Sequence, residues 1–205
     1  MIKKIQILPT TWCYFALVLC LIIIDQWIKI YVKTHFFPGE IIPVFHWFYI
    51  TYTENNGMAF GIEPFGENAI GKIILTLLRI GLVGAVCVYL FNIIQKKRNW
   101  HLILAIVLIL AGALGNIIDN AFYDYIFPPS PFFPQRNYGF LLGSVVDMFQ
   151  FNLFFPEWMP YIGGMDVFPA IFNFADACIS TGIGILLIFE RALLFEDTKP
   201  KEVIL

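Results

Sequence analysis

Charge is what this sequence has least of. Lys, Arg, Asp and Glu make up only 14% of its 205 residues, while 59% are hydrophobic; a soluble domain carries roughly a quarter charged residues. The deficit is concentrated in long uninterrupted stretches, which places the chain among integral membrane proteins. A net charge of −2 leaves no basic stripe to neutralise phosphates, which argues against a nucleic-acid partner. Cysteine is sparse and unpaired: Cys13, Cys20, Cys87 and Cys178 all fall in apolar stretches without a C-x-x-C spacing, so they read as small core hydrophobes. The histidines His35, His46 and His101 are scattered and there is no H-E-x-x-H, which argues against a zinc site. The serines Ser130, Ser144 and Ser180 lie outside any G-x-S-x-G. No metal or cofactor is expected. The N-terminus has Lys3 and Lys4 before an apolar run but no A-x-A cleavage site, and the run continues to Tyr31; it reads as a retained first helix.

A bilayer core of roughly 30 Å needs about 20 apolar residues as a helix. Segments at 12–33, 72–94, 101–122 and 175–194 qualify. Between the second and third lies only the turn QKKRNW; the other connections, 34–71 and 123–174, are long. Four crossings put Lys3, Lys4, Lys96, Lys97, Arg98, Arg191, Lys199 and Lys201 on one side, whereas the long loops carry only Arg136, with Lys33 and Lys72 at their edges. Both termini are therefore expected in the cytoplasm and both long loops outside. The stretch IIPVFHWFYITYT (41–53) has strand patterning and predicts a small sheet at the membrane surface. The second loop, with Pro128, Pro129, Pro131 and Pro134 among aromatics, reads as irregular. The expected architecture is an all-α integral membrane fold: one domain over 1–205, a four-helix transmembrane bundle with a small β-rich element and irregular loop insertions outside.

Polar residues recur at one depth of the spans. Asp25 and Lys29 are four apart near the outer end of the first and share a face. Arg79 lies about two turns inside the second, Asn116 and Asp119 sit in the last turns of the third, and Asp176 opens the fourth. Asp147, in the stretch LLGSVVDMF, adds a carboxylate near this level. One reading makes Asp25–Lys29 and Arg79–Asp119 structural ion pairs that lock the bundle. Asp147 and Asp176 have no spare cation nearby. Two carboxylates sharing a site repel, so that one keeps its proton while the other is ionised; such a pair hydrolyses a peptide bond by general acid–base chemistry. Tyr123-Asp124 and Gly163-Gly164-Met165-Asp166 only loosely echo a presenilin-like pattern. An ion- or proton-coupled small transporter is the alternative, but the inner halves of the spans are nearly apolar and show no continuous polar path.

Five blocks in order carry a resemblance to the lipoprotein signal peptidase (type II signal peptidase) family of bacteria. They are Asp25-Gln26-x-x-Lys29, Asn55-x-Gly57-x-Ala59-Phe60, Gly112-Ala113-Leu114-Gly115-Asn116-x-x-Asp119, Gly143-x-Val145-x-Asp147 and Phe172-Asn173-x-Ala175-Asp176. The resemblance implies a catalytic dyad of Asp147 and Asp176. It implies that Asn55, Asn116 and Asn173 position the substrate and the dyad, that Gly57 belongs to the same site, and that Asp25, Lys29 and Asp119 brace the polar layer. It further implies an inner-membrane aspartyl endopeptidase that removes the signal peptide of diacylglyceryl-modified prolipoproteins before the lipidated cysteine. The site would lie near the periplasmic face among membrane lipids, the first loop would form a periplasmic cradle, and 61–71 could form a lid. The sequence departs from the family in two places. Asn120 stands where an arginine usually follows the helix-three Asp, and Arg79 is the expected substitute charge. The second loop has insertions around 125–138 and 150–167, so that Asp124 and Asp166 compete with Asp147 on position alone; the G-x-V-x-D context favours Asp147.

Overall fold

The computed structural model describes residues 9–55, 69–127 and 139–195. Among them run helices α1 (Pro9–His35), α2 (Ala69–Gln95), α3 (Trp100–Ile126) and α4 (Phe174–Phe195), and strands β1 (Ile41–Phe45), β2 (Phe48–Asn55), β3 (Val145–Phe151) and β4 (Ile171–Phe172). Three helices, Thr10–His35, Ala69–Gln95 and Trp100–Ile126, are long and apolar enough to cross a membrane. At ~1.5 Å per residue each exceeds a hydrocarbon core of roughly 30 Å. In α4 the apolar stretch is the shorter Phe174–Phe189.

The turn QKKRNW reverses the chain by satisfying helix ends at once. Lys97 takes a left-handed conformation (φ 51°); its N–H bonds the Ile94 carbonyl at 2.9 Å and the Arg98 N–H bonds that of Ile93 at 3.0 Å, a Schellman closure of α2. Asn99 then caps α3, its side chain accepting the His101 N–H at 2.9 Å. The apolar residues Val18, Leu90, Ile94, Val107 and Leu110 join α1, α2 and α3 in one core. Helices α3 and α4 cross at backbone distance, and a Cβ on Gly182 would lie 2.6 Å from the Ala105 carbonyl. Small residues permit this approach, and in lipid close packing drives helix association.

The expected small β-rich element is present and takes strands from both long loops, which form one antiparallel sheet of order β1-β2-β3-β4. The strand pattern at 41–53 is realised as the β1–β2 hairpin. The second loop is not irregular throughout: Val145-Val146-Asp147-Met148-Phe149-Gln150-Phe151 pairs with β2, setting Thr53 opposite Asp147 and Asn55 opposite Val145. Its β-branched and aromatic residues favour a strand; the prolines that suggested irregularity lie outside the described residues. The later insertion folds back on itself, with Val167 N–H to Leu153 O at 2.7 Å and Phe155 N–H to Met165 O at 2.9 Å. Strand β4 places Phe172 opposite Phe149 and runs directly into α4.

Candidate active site

The G-x-V-x-D block is a crossing. The Gly143 N–H bonds the Asn120 carbonyl at 2.9 Å, and a Cβ there would overlap the backbone carbonyls of Asp119 and Asn120. Only glycine lets the chain pass so close to the end of α3. The strand that follows puts Asp147 under the helices at 2% exposure. The F-N-x-A-D block is a helix start. Asn173 is the N-cap of α4: its Oδ1 accepts the Asp176 N–H at 2.9 Å, while its own N–H donates to Asp176 Oδ2 at 3.1 Å. This reciprocal exchange is a capping box, and it fixes the Asp176 carboxylate as well as the helix end.

Asn173 also reaches the other carboxylate. Its Nδ2 donates to Asp147 Oδ1 at 2.6 Å, and Asn55 Nδ2 donates to Asp147 Oδ2 at 3.1 Å. Asn116 Nδ2 donates to Asp176 Oδ1 at 2.9 Å. The structure therefore brings Asp147 and Asp176 into one cluster bridged by Asn173, and their hydrogen-bond donors are all amides. Burial, and then the neighbouring Asp176, push the Asp147 carboxyl up from 3.8 to about 7; the amide hydrogen bonds and Lys29 pull it back only in part.

Below the pair lies a fully buried ion cluster. Lys29 Nζ contacts Asp25 Oδ2 at 2.9 Å and Asp119 Oδ2 at 2.8 Å, and donates to Asn116 Oδ1 at 2.8 Å. Its three protons thus meet three acceptors, the arrangement a buried ammonium needs. Asp25 Oδ1 accepts the Ala175 N–H at 2.9 Å, tying α1 to the first turn of α4. The other half of the expected ion pairing is corrected. Asp119 takes Lys29 on one oxygen and Gln26 Nε2 on the other at 2.9 Å, so Arg79 forms no ion pair with it. Lys29 serves both carboxylates from α1, whereas Arg79 sits half-buried on α2.

Asn120 uses its side chain differently from an arginine, donating to the Asn116 carbonyl one turn back at 2.8 Å. Asp166 is exposed on the insertion and pairs with Phe154, away from the cluster. Gly57 and most of the proposed lid at 61–71 lie outside the described residues. Among the described residues, no group of three or more His, Cys, Asp or Glu is placed to hold a metal ion. Gln26, a member of the first motif block, and Tyr123 had no role assigned from sequence. Gln26 joins Asp119 to the Gly115 carbonyl at 3.2 Å and accepts the buried Tyr123 hydroxyl at 3.0 Å. The motif block was the signal for Gln26, and the position of Tyr123 four residues beyond Asp119 the signal for Tyr123.

Comparison with known proteins supplies a family. The family model described as signal peptidase (SPase) II matches residues 17–191. The lipoprotein signal peptidase of Porphyromonas gingivalis is 42% identical over 196 residues, spanning 88% of this chain and 84% of the relative. That of Amoebophilus asiaticus is 32% identical over 201 residues, spanning 93% and 83%. A bacterial membrane enzyme solved by the in meso method at 2.3 Å shares the fold, with a TM-score of 0.59 at 24% identity over 94% of both chains. Another, solved at 1.9 Å, gives a TM-score of 0.58 at 29% identity over 86% of this chain and 90% of that one. The sequence match runs from α1 to α4 and takes in every polar group of the cluster, so the chain belongs to the signal peptidase II family.

Proposed function

We propose that Asp147 and Asp176 are the catalytic pair of an aspartic-type endopeptidase that removes signal peptides from diacylglyceryl-modified prolipoproteins, cleaving before the lipidated cysteine. The observation that carries the pair is Asn173, which donates its side-chain amide to Asp147 and its backbone N–H to Asp176. Among the described residues their donors are amides only, and for buried Asp147 with half-buried Asp176 beside it a retained proton is the cheapest relief of repulsion. Asp147 holds that proton up to about pH 7 and is the acid; Asp176, at the positive end of α4 where negative charge is favoured, is the base. Asp176 takes a proton from water as its oxygen attacks the scissile carbonyl carbon, and Asp147 donates to the carbonyl oxygen. Collapse of the tetrahedral intermediate breaks the C–N bond, with a proton delivered to the leaving amine.

In this reading the chain is a single domain in the bacterial inner membrane. All four helices cross it, both termini are cytoplasmic, and the sheet forms a cradle at the periplasmic face. A substrate whose signal peptide is itself a membrane helix then presents its cleavage site at the level of the pair. Asn55, Asn116 and Asn173 hold the carboxyls, and Gly57 is proposed to belong to the substrate wall. The test is cleavage of a diacylglyceryl-modified prolipoprotein by purified protein. Asp147→Asn and Asp176→Asn should each abolish turnover while remaining folded; full turnover in either folded variant refutes the pair.

A further inference from the structure

Helix α1 carries a second, largely covered lysine one turn beyond Lys29. Lys33 Nζ lies 2.5 Å from Glu54 Oε1 and 3.3 Å from the Tyr52 hydroxyl, and the same hydroxyl donates to Glu54 Oε1 at 2.6 Å. The ammonium also sits over the rings of Tyr52, Tyr123 and Phe127 at 5.9, 5.9 and 5.4 Å. Glu54 is 2% exposed and Lys33 11%. A buried ion pair is a weak source of stability, because desolvation offsets its attraction; its best-attested use is to fix register.

The register in question lies next to the cleavage chemistry. Glu54 stands opposite Val146 and Asn55 opposite Val145, so that holding Glu54 fixes the pleat that aims Asn55 to the other face. Asn55 then donates to Asp147 at 3.1 Å. Lys29 reaches Asn116 at 2.8 Å, and Asn116 donates to Asp176 at 2.9 Å. Two lysines four apart on one helical face thus each lead to one member of the pair through an asparagine.

We propose that Lys33 and Glu54 are positioning residues that set Asp147 against Asp176 through Asn55, with α1 as the common ruler. The inference rests on the catalytic pair proposed above. It explains why a chain so poor in charge keeps an ion pair outside the motif blocks: a small slip of β2 along α1 would change the spacing between the carboxyls. Among the described residues, Lys33 faces Glu54 and Tyr52 from β2, Tyr123 from α3 and Phe127 just beyond it; the charged groups facing Asp147 are Asp176 from α4 and Lys29 from α1.

The test compares kcat, KM and the pH profile of purified Lys33→Met, Glu54→Gln and Lys33→Arg on a diacylglyceryl-modified prolipoprotein, with Asp147→Asn and Asp176→Asn alongside. Misplacement by about 1 Å costs up to roughly a hundredfold. Lys33→Met and Glu54→Gln should therefore lose about ten- to a hundredfold in kcat with KM little changed, and should move the basic limb of the profile. Lys33→Arg, which keeps the ion pair, should recover most of the rate. Glu54→Gln retains an oxygen for the Tyr52 hydroxyl, so it decides the matter if Lys33→Met fails to fold. Lower thermal stability with wild-type kcat and an unmoved limb would overturn the proposal while inactive Asp147→Asn and Asp176→Asn leave the pair standing. Full turnover by either Asp variant would overturn both.

Discussion

Asn173 does two separable jobs, and substitution can divide them. Its Oδ1 caps α4; its Nδ2 supplies the shortest hydrogen bond to Asp147, at 2.6 Å. Serine is about as good an N-cap as asparagine, and alanine forfeits about 1 kcal/mol of cap. Neither reaches Asp147, and a buried acceptor left without its donor costs about 1–3 kcal/mol. Asn173→Ser should therefore lose about 1–3 kcal/mol and Asn173→Ala about 1 kcal/mol more. For a chain of this size that extra loss lowers Tm by about 2–4 °C. Turnover should fall equally in both, by up to about a hundredfold, because the same carboxyl is released. Thermal unfolding in detergent and a prolipoprotein cleavage assay read the two effects independently. Wild-type turnover in Asn173→Ser would show that the donor to Asp147 does not matter, and equal stability of the two variants would refute the capping role.

Two further predictions come from the same cluster. The Asp147 carboxyl is raised from 3.8 to about 7, so between those values the folded protein holds a proton that the unfolded chain has released. Stability should fall as pH rises through that window, by up to about 1.4 kcal/mol per unit, and level off above it. Asp147→Asn should flatten this slope in unfolding measured from pH 4 to 8, and wild-type kcat should decline above about 7 as Asp147 ionises; an unchanged slope in the variant would assign the effect elsewhere. Gly115→Ala would place a Cβ 2.6 Å from Asp25 Oδ2 and 3.3 Å from the Ala175 Cβ, where Asp25 is already held by Lys29, Gln26 and the α4 backbone. Overpacking of this kind costs about 1–3 kcal/mol, whereas Gly84→Ala meets nothing within 4 Å and should leave Tm and cleavage unchanged.

What the sequence disclosed follows from what periodicity and spacing encode. Apolar runs locate helices, and the membrane-length stretches at 12–33, 72–94 and 101–122 lie within α1, α2 and α3. The Asp25–Lys29 pair was legible because i and i+4 share a face whatever the tertiary structure. The partner of Asp119 was not, because two helices at different sequence distances offered a cation and only packing chose between Lys29 and Arg79. Strand β3 was hidden by the proline-rich stretch before it, although Val145, Val146, Phe149 and Phe151 carry strand preference. Gln26 and Tyr123 are invisible to spacing, since their bond spans 97 positions.

The arrangement of the carboxyls has its own logic. Four acids, Asp25, Asp119, Asp147 and Asp176, gather near one base, Lys29, and all four would not persist as ions in so largely buried a space. Part of the imbalance is met without side chains. The free N–H groups at the start of α4 act as a fractional positive charge; Asp25 takes the N–H of Ala175 and Asp176 that of Asn173. Asp119 adds the Val146 N–H at 3.4 Å. Asp147 is the exception, because its carboxyl receives amide side chains alone. The uneven supply of donors separates the two members of the pair. The acid on the helix cap receives a backbone N–H at the helix start, while burial and its neighbour push the acid on the strand toward keeping its proton. A reaction that needs one of each at neutral pH requires that asymmetry, and a helix start placed beside a β-strand is a simple way to build it.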